Sequence, residues 1–399
     1  MAAYCQQPSA VADGPAFRTY LDHASTSPLR PEARDALVAW LDTVGDPSRV
    51  HAEGLAARHA VEQARDQVAA LVGARNREVC FTSGATEAIA AACWGAASRG
   101  SHHVVSAVEH SAVRSAAARH GEVTTVPSDQ VGRVDAEAML AAIRPDTALV
   151  HLHWGNHEVG TIQPVAEVAA GCRERGVLLH IDAAQAVGHV PVDFRALGAD
   201  LVSISAHKLG GPAGVGALLI RRGLRLAPLL VGGDQERARR AGYENVPALV
   251  GFGAACAALT GGDRLDTEAV AQRQLSQRVV DAIAGSDGIV QYGPAPSEHR
   301  LPHIVCLGIE GIEPQAVLLG LDRAGISAHS GSACSSEALE PSPVLEAMGV
   351  DAHHSLRISV GWSSTPADVD RLVAALPEVI ADLRALTSDS GVRSSRAPG

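Results

Sequence analysis

The chain has 399 residues, with 33 Lys+Arg against 44 Asp+Glu for a formal charge of −11, and is 46% apolar and 19% charged. That composition excludes an intrinsically disordered chain, and the negative balance argues against tight, direct binding to a nucleic-acid backbone. The length suits one large domain with a smaller companion, or two to three ordinary ones.

No uninterrupted apolar run of roughly 18 residues occurs, so no membrane span is expected. Segment 1–16 has neither a basic n-region nor an apolar core, so it does not read as a signal peptide. Cys5, Cys80, Cys93, Cys172, Cys256, Cys306 and Cys334 are odd in number and scattered, with no CxxC pair. Neither a disulfide framework nor a zinc ribbon follows, and a reducing, cytoplasmic setting is expected. The only lysine in the chain is Lys208.

Taken in chain order, Ala57 to Val72 carries apolar residues at Ala57, Ala60, Val61, Ala64, Val68 and Leu71, helical spacing closed by Gly73. Short β-rich runs follow at Val79–Thr82, Val104–Ala107, Val123–Val126, Ala148–His153, Val177–Ile181, Leu201–Ile204 and Val215–Ile220. Helical stretches such as Ala88–Ala97 and Pro164–Arg175 separate most of them. Strands alternating with helices predict an open, seven-stranded, mostly parallel α/β sheet. Past about residue 260 the pattern changes, with breaks at Gly261-Gly262 and at Pro294 and Pro296. The expected organisation is a large domain over 24–260 and a smaller α+β domain from 1–23 and 261–387. The Ser/Arg/Pro/Gly-rich tail 388–399 reads as disordered.

Open parallel sheets bind ligands beyond the carboxyl ends of their strands, and nearly every β-run here is followed by polar residues. Ser83-Gly84-Ala85-Thr86-Glu87 opens a helix whose free N–H groups suit an anion, although any strand-to-helix junction can use Ser-Gly simply to turn. Glu109-His110 and Gly155-Asn156-His157-Glu158 come next. His151, His153, His157 and Glu158 invite a metal reading, but hydrogen-bonded buried histidines are the commoner outcome and no metal is expected. Asp182-Ala183-Ala184-Gln185 and Ser205-Ala206-His207-Lys208 end neighbouring strands, 26 residues apart from Asp to Lys (208 − 182). An Asp182–Lys208 ion pair is the bland reading. The chemical one is an amine that forms a Schiff base with an aldehyde cofactor while the Asp pairs a protonated pyridine nitrogen. The phosphate cradle and a ring-sized histidine favour the second, with pyridoxal 5′-phosphate as cofactor.

These motifs, with Tyr20-Leu21-Asp22-His23-Ala24-Ser25-Thr26 and Ser330-Gly331-Ser332-Ala333-Cys334, resemble the cysteine desulfurases of the class V aminotransferase superfamily, fold type I pyridoxal-phosphate enzymes. The resemblance runs over roughly residues 20 to 380. It implies that Lys208 holds the cofactor and moves the substrate Cα proton, that Asp182 keeps the ring nitrogen protonated, and that His110 stacks on the ring and relays a proton. It implies further that Gln185 reaches the phenolic oxygen, that Ala85, Thr86, Ser205 and His207 hold the phosphate, and that Arg357, with Asn156, binds the substrate. Cys334, among small residues in a loop of about 326–342, would take the substrate sulfur as a persulfide and carry it to an acceptor protein.

The chain departs from the family pattern at three positions. His157 stands where relatives have Asn near the phenolic oxygen. Tyr243 replaces a Thr that reaches the phosphate across a homodimer interface. Trp362 replaces an Arg. The activity implied is L-cysteine to L-alanine with sulfur transfer, for an iron–sulfur scaffold, tRNA thiolation or DNA phosphorothioation. The alternatives are a selenocysteine lyase, an aminotransferase, or a sulfur-relay docking module that needs a partner.

Overall fold

The structure is a computed structural model that describes residues 18–295, 299–331 and 341–394, with side chains as far as 386. Strand β1 (Thr19–Tyr20) comes first, followed by helices α1 (Pro31–Leu41) and α2 (Ala52–Leu71). The main sheet is built from β2 (Val79–Thr82), β3 (His102–Ser106), β4 (Glu122–Val126), β5 (Thr147–His153), β6 (Leu178–Asp182), β7 (Leu201–Ser205) and β8 (Gly216–Ile220). Each lies within two residues of the run that its sequence suggests. Helix α2 begins five residues before the expected Ala57 because His51 caps it, its Nδ1 accepting the Gly54 N–H at 3.2 Å. Histidine is an uncommon N-cap, which hid that start.

The seven strands run in the order β2-β8-β7-β6-β5-β3-β4. Strands β3 to β7 are mutually parallel and β8 is antiparallel to both β2 and β7. Every residue of β3, β5, β6 and β7 is buried, as expected of a parallel sheet covered on both faces. From β3 the chain steps one way to β4, then returns to the other side of β3 and proceeds through β5, β6 and β7. Connections above the sheet therefore diverge at the β3–β5 boundary, and a crevice opens beyond the strands' carboxyl ends there. Helices α3 (Ala85–Ala96) and α4 (Ser111–His120) start at that rim.

A second apolar core forms around Leu21, Val305, Leu307, Leu356 and Ile358, distinct from the one that packs the main sheet. Its three-stranded sheet has the order β12-β10-β9, from β9 (Ile289–Tyr292), β10 (Ile304–Ile309) and β12 (Ser355–Ser359). Strand β1 pairs in parallel with β11 (Ile326–Ser327), which draws the N-terminal segment into this core. The last helix runs from Pro366 to Ser394, past the point where the sequence suggests disorder from 388. Propagating a nucleated helix adds one hydrogen bond per residue fixed, so a Ser- and Gly-containing extension costs little. Residues 395–399 lie outside the described residues. Among the described residues, no single helix is long and apolar enough to cross a membrane.

Candidate active site

The carboxyl ends of β2, β3, β5, β6 and β7 converge on one cavity of about 490 Å³. Ala85, Thr86, His110, His157, Asp182, Gln185, Ser205, His207, Lys208 and Arg357 all line it. Two of the expected residues do not. Asn156 is fully buried, its Oδ1 accepting the Glu158 and Val159 N–H groups and its Nδ2 donating to the Val108 carbonyl, so its amide shapes the loop after β5. Tyr243 is exposed and donates its hydroxyl to the Gly45 carbonyl. Cys334 lies outside the described residues.

The turn from β2 into α3 is made by Gly84 at φ +154, a conformation that disfavours side chains. A Cβ there would project toward Ser205 Oγ, 3.8 Å away, into the cradle at the mouth of α3. The first N–H groups of a helix have no intrahelical acceptor and carry the positive end of its dipole. Thr86, Ser205 and His207 surround that end. Burial holds the His207 imidazole down to about 4, so near neutral pH it is an uncharged donor.

Lys208 follows β7 on a turn of 3₁₀ helix. It makes no ion pair with Asp182: its Nζ donates to the carbonyls of Ala24 and Ser25, at 2.6 and 2.8 Å. Asp182 accepts from the Ala184 N–H at 3.0 Å and the Ser203 hydroxyl at 3.2 Å. Burial, helped by the nearby Arg357 charge, lowers the Lys208 ammonium to about 8. A Schiff-base lysine requires such an amine, because only the free base is nucleophilic. The rate at which apoprotein captures an aldehyde at Lys208 should therefore rise with pH to a midpoint near 8, not 10.5. Stopped-flow capture of pyridoxal 5′-phosphate across pH 6.5 to 10 measures it, and a midpoint near 10.5 would contradict the burial argument.

His110 caps α4, its Nδ1 accepting the Ala112 N–H at 3.1 Å. Burial also lowers its pKa, so the neutral ring carries its proton on Nε2. His157 meets it edge to face with centroids 5.0 Å apart, and burial holds His157 well below its usual value. His153 also reaches the cavity, fixed by Glu109 Oε1 at 3.0 Å and by Gln163.

His151 diverges from these. It sits in the sheet interior with Nε2 at 3.2 Å from His103 Nδ1 and 3.7 Å from Cys93 Sγ, and Nδ1 at 3.1 Å from His180 Nδ1. Three neutral rings hold three protons, and the two ring–ring contacts use two of them. Among the described residues, one buried Nε2, of His103 or His180, is left as an unpaired donor. A cation bound by Cys93, His103 and His151 would make both of them unpaired donors, so the proton count disfavours a metal there.

Further residues pack around the site, of which His303 carries no sequence signal. His303 Nε2 lies 3.2 Å from Gln185 Oε1, and Gln185 Nε2 donates to the Ala24 carbonyl at 2.7 Å. The Gln185 amide is thereby fixed with its oxygen paired to His303 and one of its two N–H groups left over. Trp362 donates to the Pro28 carbonyl and lies beneath Arg30. Glu158 is buried, accepts from Ser342 Oγ at 2.5 Å, and has its carboxyl raised to about 7 by desolvation. A raised carboxyl stays protonated in the fold over a range where the unfolded chain has ionised. Stability relative to Glu158→Gln should thus fall by about 3 kcal/mol as pH rises from 4.5 to 7, then level off. Denaturant melts of both proteins from pH 4.5 to 8 measure that difference, and parallel pH profiles would contradict the raised value.

The chemistry of this donor set fits pyridoxal 5′-phosphate. An anion cradle lies at the mouth of α3, a carboxylate ends β6, a free-base-prone amine follows β7, and imidazole rings line the wall near β3. The chain also matches the family described as Aminotransferase class-V over residues 19–372. A relative named cysteine desulfurase IscS 1, from Archaeoglobus fulgidus, is 40% identical over 380 residues, 92% of this chain and 98% of that protein. A cysteine desulfurase of Cereibacter sphaeroides is 41% identical over 384 residues, 93% of this chain and 97% of its own. Among solved structures, a NifS-like protein superposes with a TM-score of 0.84 at 30% identity, over 92% of this chain and all of that one. A structure described as SspA in complex with cysteine gives a TM-score of 0.75 at 28% identity, over 87% of this chain and all of the other.

Proposed function

The chain belongs to the class V aminotransferase family, and on that premise we propose that it is a pyridoxal-phosphate-dependent L-cysteine desulfurase that passes sulfur through Cys334 to an acceptor protein. The observation that carries the reading is the lone lysine, its pKa lowered by desolvation, in the same cavity as Asp182 and the anion cradle of α3. The cysteine desulfurase relatives and the cysteine-bound SspA structure support L-cysteine as substrate.

Pyridoxal 5′-phosphate, when bound, supplies an electrophilic carbon and an electron-withdrawing pyridinium that makes the substrate Cα–H acidic. The α3 N-terminus, Thr86, Ser205 and His207 bind the phosphate. Asp182 holds a proton on the pyridine nitrogen. Gln185 and His157 donate to the phenolic oxygen, and His110 packs against the ring with its Nε2 proton available for transfer. Arg357 binds the substrate carboxylate, and Lys208 Nζ removes the Cα proton. Cys334 thiolate attacks the substrate sulfur: an S–S bond forms, the Cβ–S bond breaks, and the electron pair left on carbon takes a proton. The sum is L-cysteine and a Cys334 thiol giving L-alanine and a Cys334 persulfide, with no outside oxidant.

A homodimer belongs to the same reading. Val38 and Leu41 on α1, Val44 on the turn after it, and Leu230, Val231 and Tyr243 are exposed, and the Tyr243 hydroxyl ties the last segment to Gly45. Exposed apolar side chains in such number suit a self-complementary contact. Arg240, three residues from Tyr243, pairs with Glu87 in the first turn of α3 and links that face to the cavity.

Holoenzyme given L-cysteine and a thiol reductant should release L-alanine and sulfide in equal amounts. An oxo-acid product without sulfide would overturn the desulfurase reading in favour of transamination.

A further inference from the structure

Arg357, on β12, lines the cavity yet is only 3% exposed. Its Nη1 donates to the His157 carbonyl at 2.8 Å, and its Nη2 donates both to Asp22 Oδ1 at 2.9 Å and to Ser25 Oγ at 2.7 Å. Its Nε is buried with no partner among the described residues. A guanidinium has five N–H groups, so one on Nη1 and the one on Nε remain. These do not share an edge. Either bidentate edge, Nη1 with Nη2 or Nε with Nη2, includes the nitrogen whose two hydrogens are already engaged. A carboxylate that binds Arg357 through two parallel bonds must therefore take Nη2 from Asp22 or Ser25, and on the Nε edge it would also satisfy the orphaned donor.

We propose that Asp22 is an internal competitor for the substrate carboxylate: it occupies Arg357 in the resting cavity and so sets the affinity for the amino-acid substrate. The inference rests on the reading of Arg357 as the carboxylate-binding residue. Asp22 is suited to yield. Its side chain is partly exposed, and once released from Arg357 it keeps the Ser25 hydroxyl at 2.9 Å. The turn it belongs to is held through its backbone carbonyl, which accepts from the Tyr20 hydroxyl and the Ser25 and Thr26 N–H groups, so a change of side chain leaves the turn in place. The substrate thus exchanges one charge-assisted pair for another, and part of its binding energy is spent displacing Asp22.

The sign of the effect separates this role from that of a residue that merely orients Arg357. In Asp22→Asn holoenzyme the KM for L-cysteine should fall about tenfold, with kcat changing less than KM. The dissociation constant of L-alanine, read by absorbance titration, should fall in step. Unchanged or weaker binding overturns the proposal, because an orienting carboxylate strengthens the clamp when present. A wild-type measurement covers the case in which the variant does not fold. L-Alanine should bind less than about tenfold better than L-alaninamide, since the carboxylate's gain is offset by the release of Asp22, and a larger ratio overturns the proposal. Wild-type holoenzyme that binds neither ligand would instead refute the amino-acid substrate reading itself.

Discussion

In Cys334→Ser, sulfide release from L-cysteine should drop by about a thousandfold or more while the holoenzyme keeps its cofactor. Serine preserves size and polarity, but a neutral hydroxyl does not attack divalent sulfur, and no S–S bond can form on it. The described cysteines cannot substitute. Cys80, Cys93, Cys172, Cys256 and Cys306 are all buried. Desolvation pushes the thiols of Cys80, Cys93 and Cys172 up to about 12 and raises those of Cys256 and Cys306 as well. Thiolate is the nucleophile, so each of these is inert near neutral pH. Mass spectrometry of the Cys334 peptide after a single turnover should show one added sulfur atom in wild type and none in the variant. Sulfide release by the variant at the wild-type rate would remove Cys334 from the mechanism.

Lys208→Ala should lower turnover by about a thousandfold, within the range observed for loss of a general base, and should abolish covalent capture of the cofactor. The second effect is unusually clean here, because no other side chain in the molecule is a primary amine. Borohydride reduction of wild-type holoenzyme should leave the pyridoxyl label on the peptide containing Lys208, and the variant should remain unlabelled. Arg at this position should fail equally, since a guanidinium does not give up its proton. Label recovered on any other peptide would refute the assignment.

The frame of the site is legible in the sequence because strand ends announce themselves. An apolar run that stops at Asp182 or at Ser205-Ala206-His207-Lys208 states where the sheet ends and which side chains stand at its rim. The partners of those side chains were not legible. The bland alternative for Asp182 and Lys208 is an ion pair, but Lys208 bonds the carbonyls of Ala24 and Ser25, which are more than 180 residues away in sequence. His303 and Asp22 act on the site through Gln185 and Arg357, contacts that arise only when the second core packs against the first. Asn156, which the resemblance places at the substrate, instead bonds three backbone groups of its own loop and of the segment after β3.

Because the one ammonium side chain points into the cavity, the positive charge on the exterior belongs to arginine, including exposed residues such as Arg34 and Arg49. Guanidinium keeps its proton at any pH the fold survives. Between about pH 9 and 11, where a lysine-bearing exterior sheds its cations, this one retains them, so its electrophoretic mobility changes little over that range. Acylating reagents that target amines meet no side chain on the exterior, and a carrier resin or dye coupled through such chemistry attaches at the chain's amino terminus or not at all.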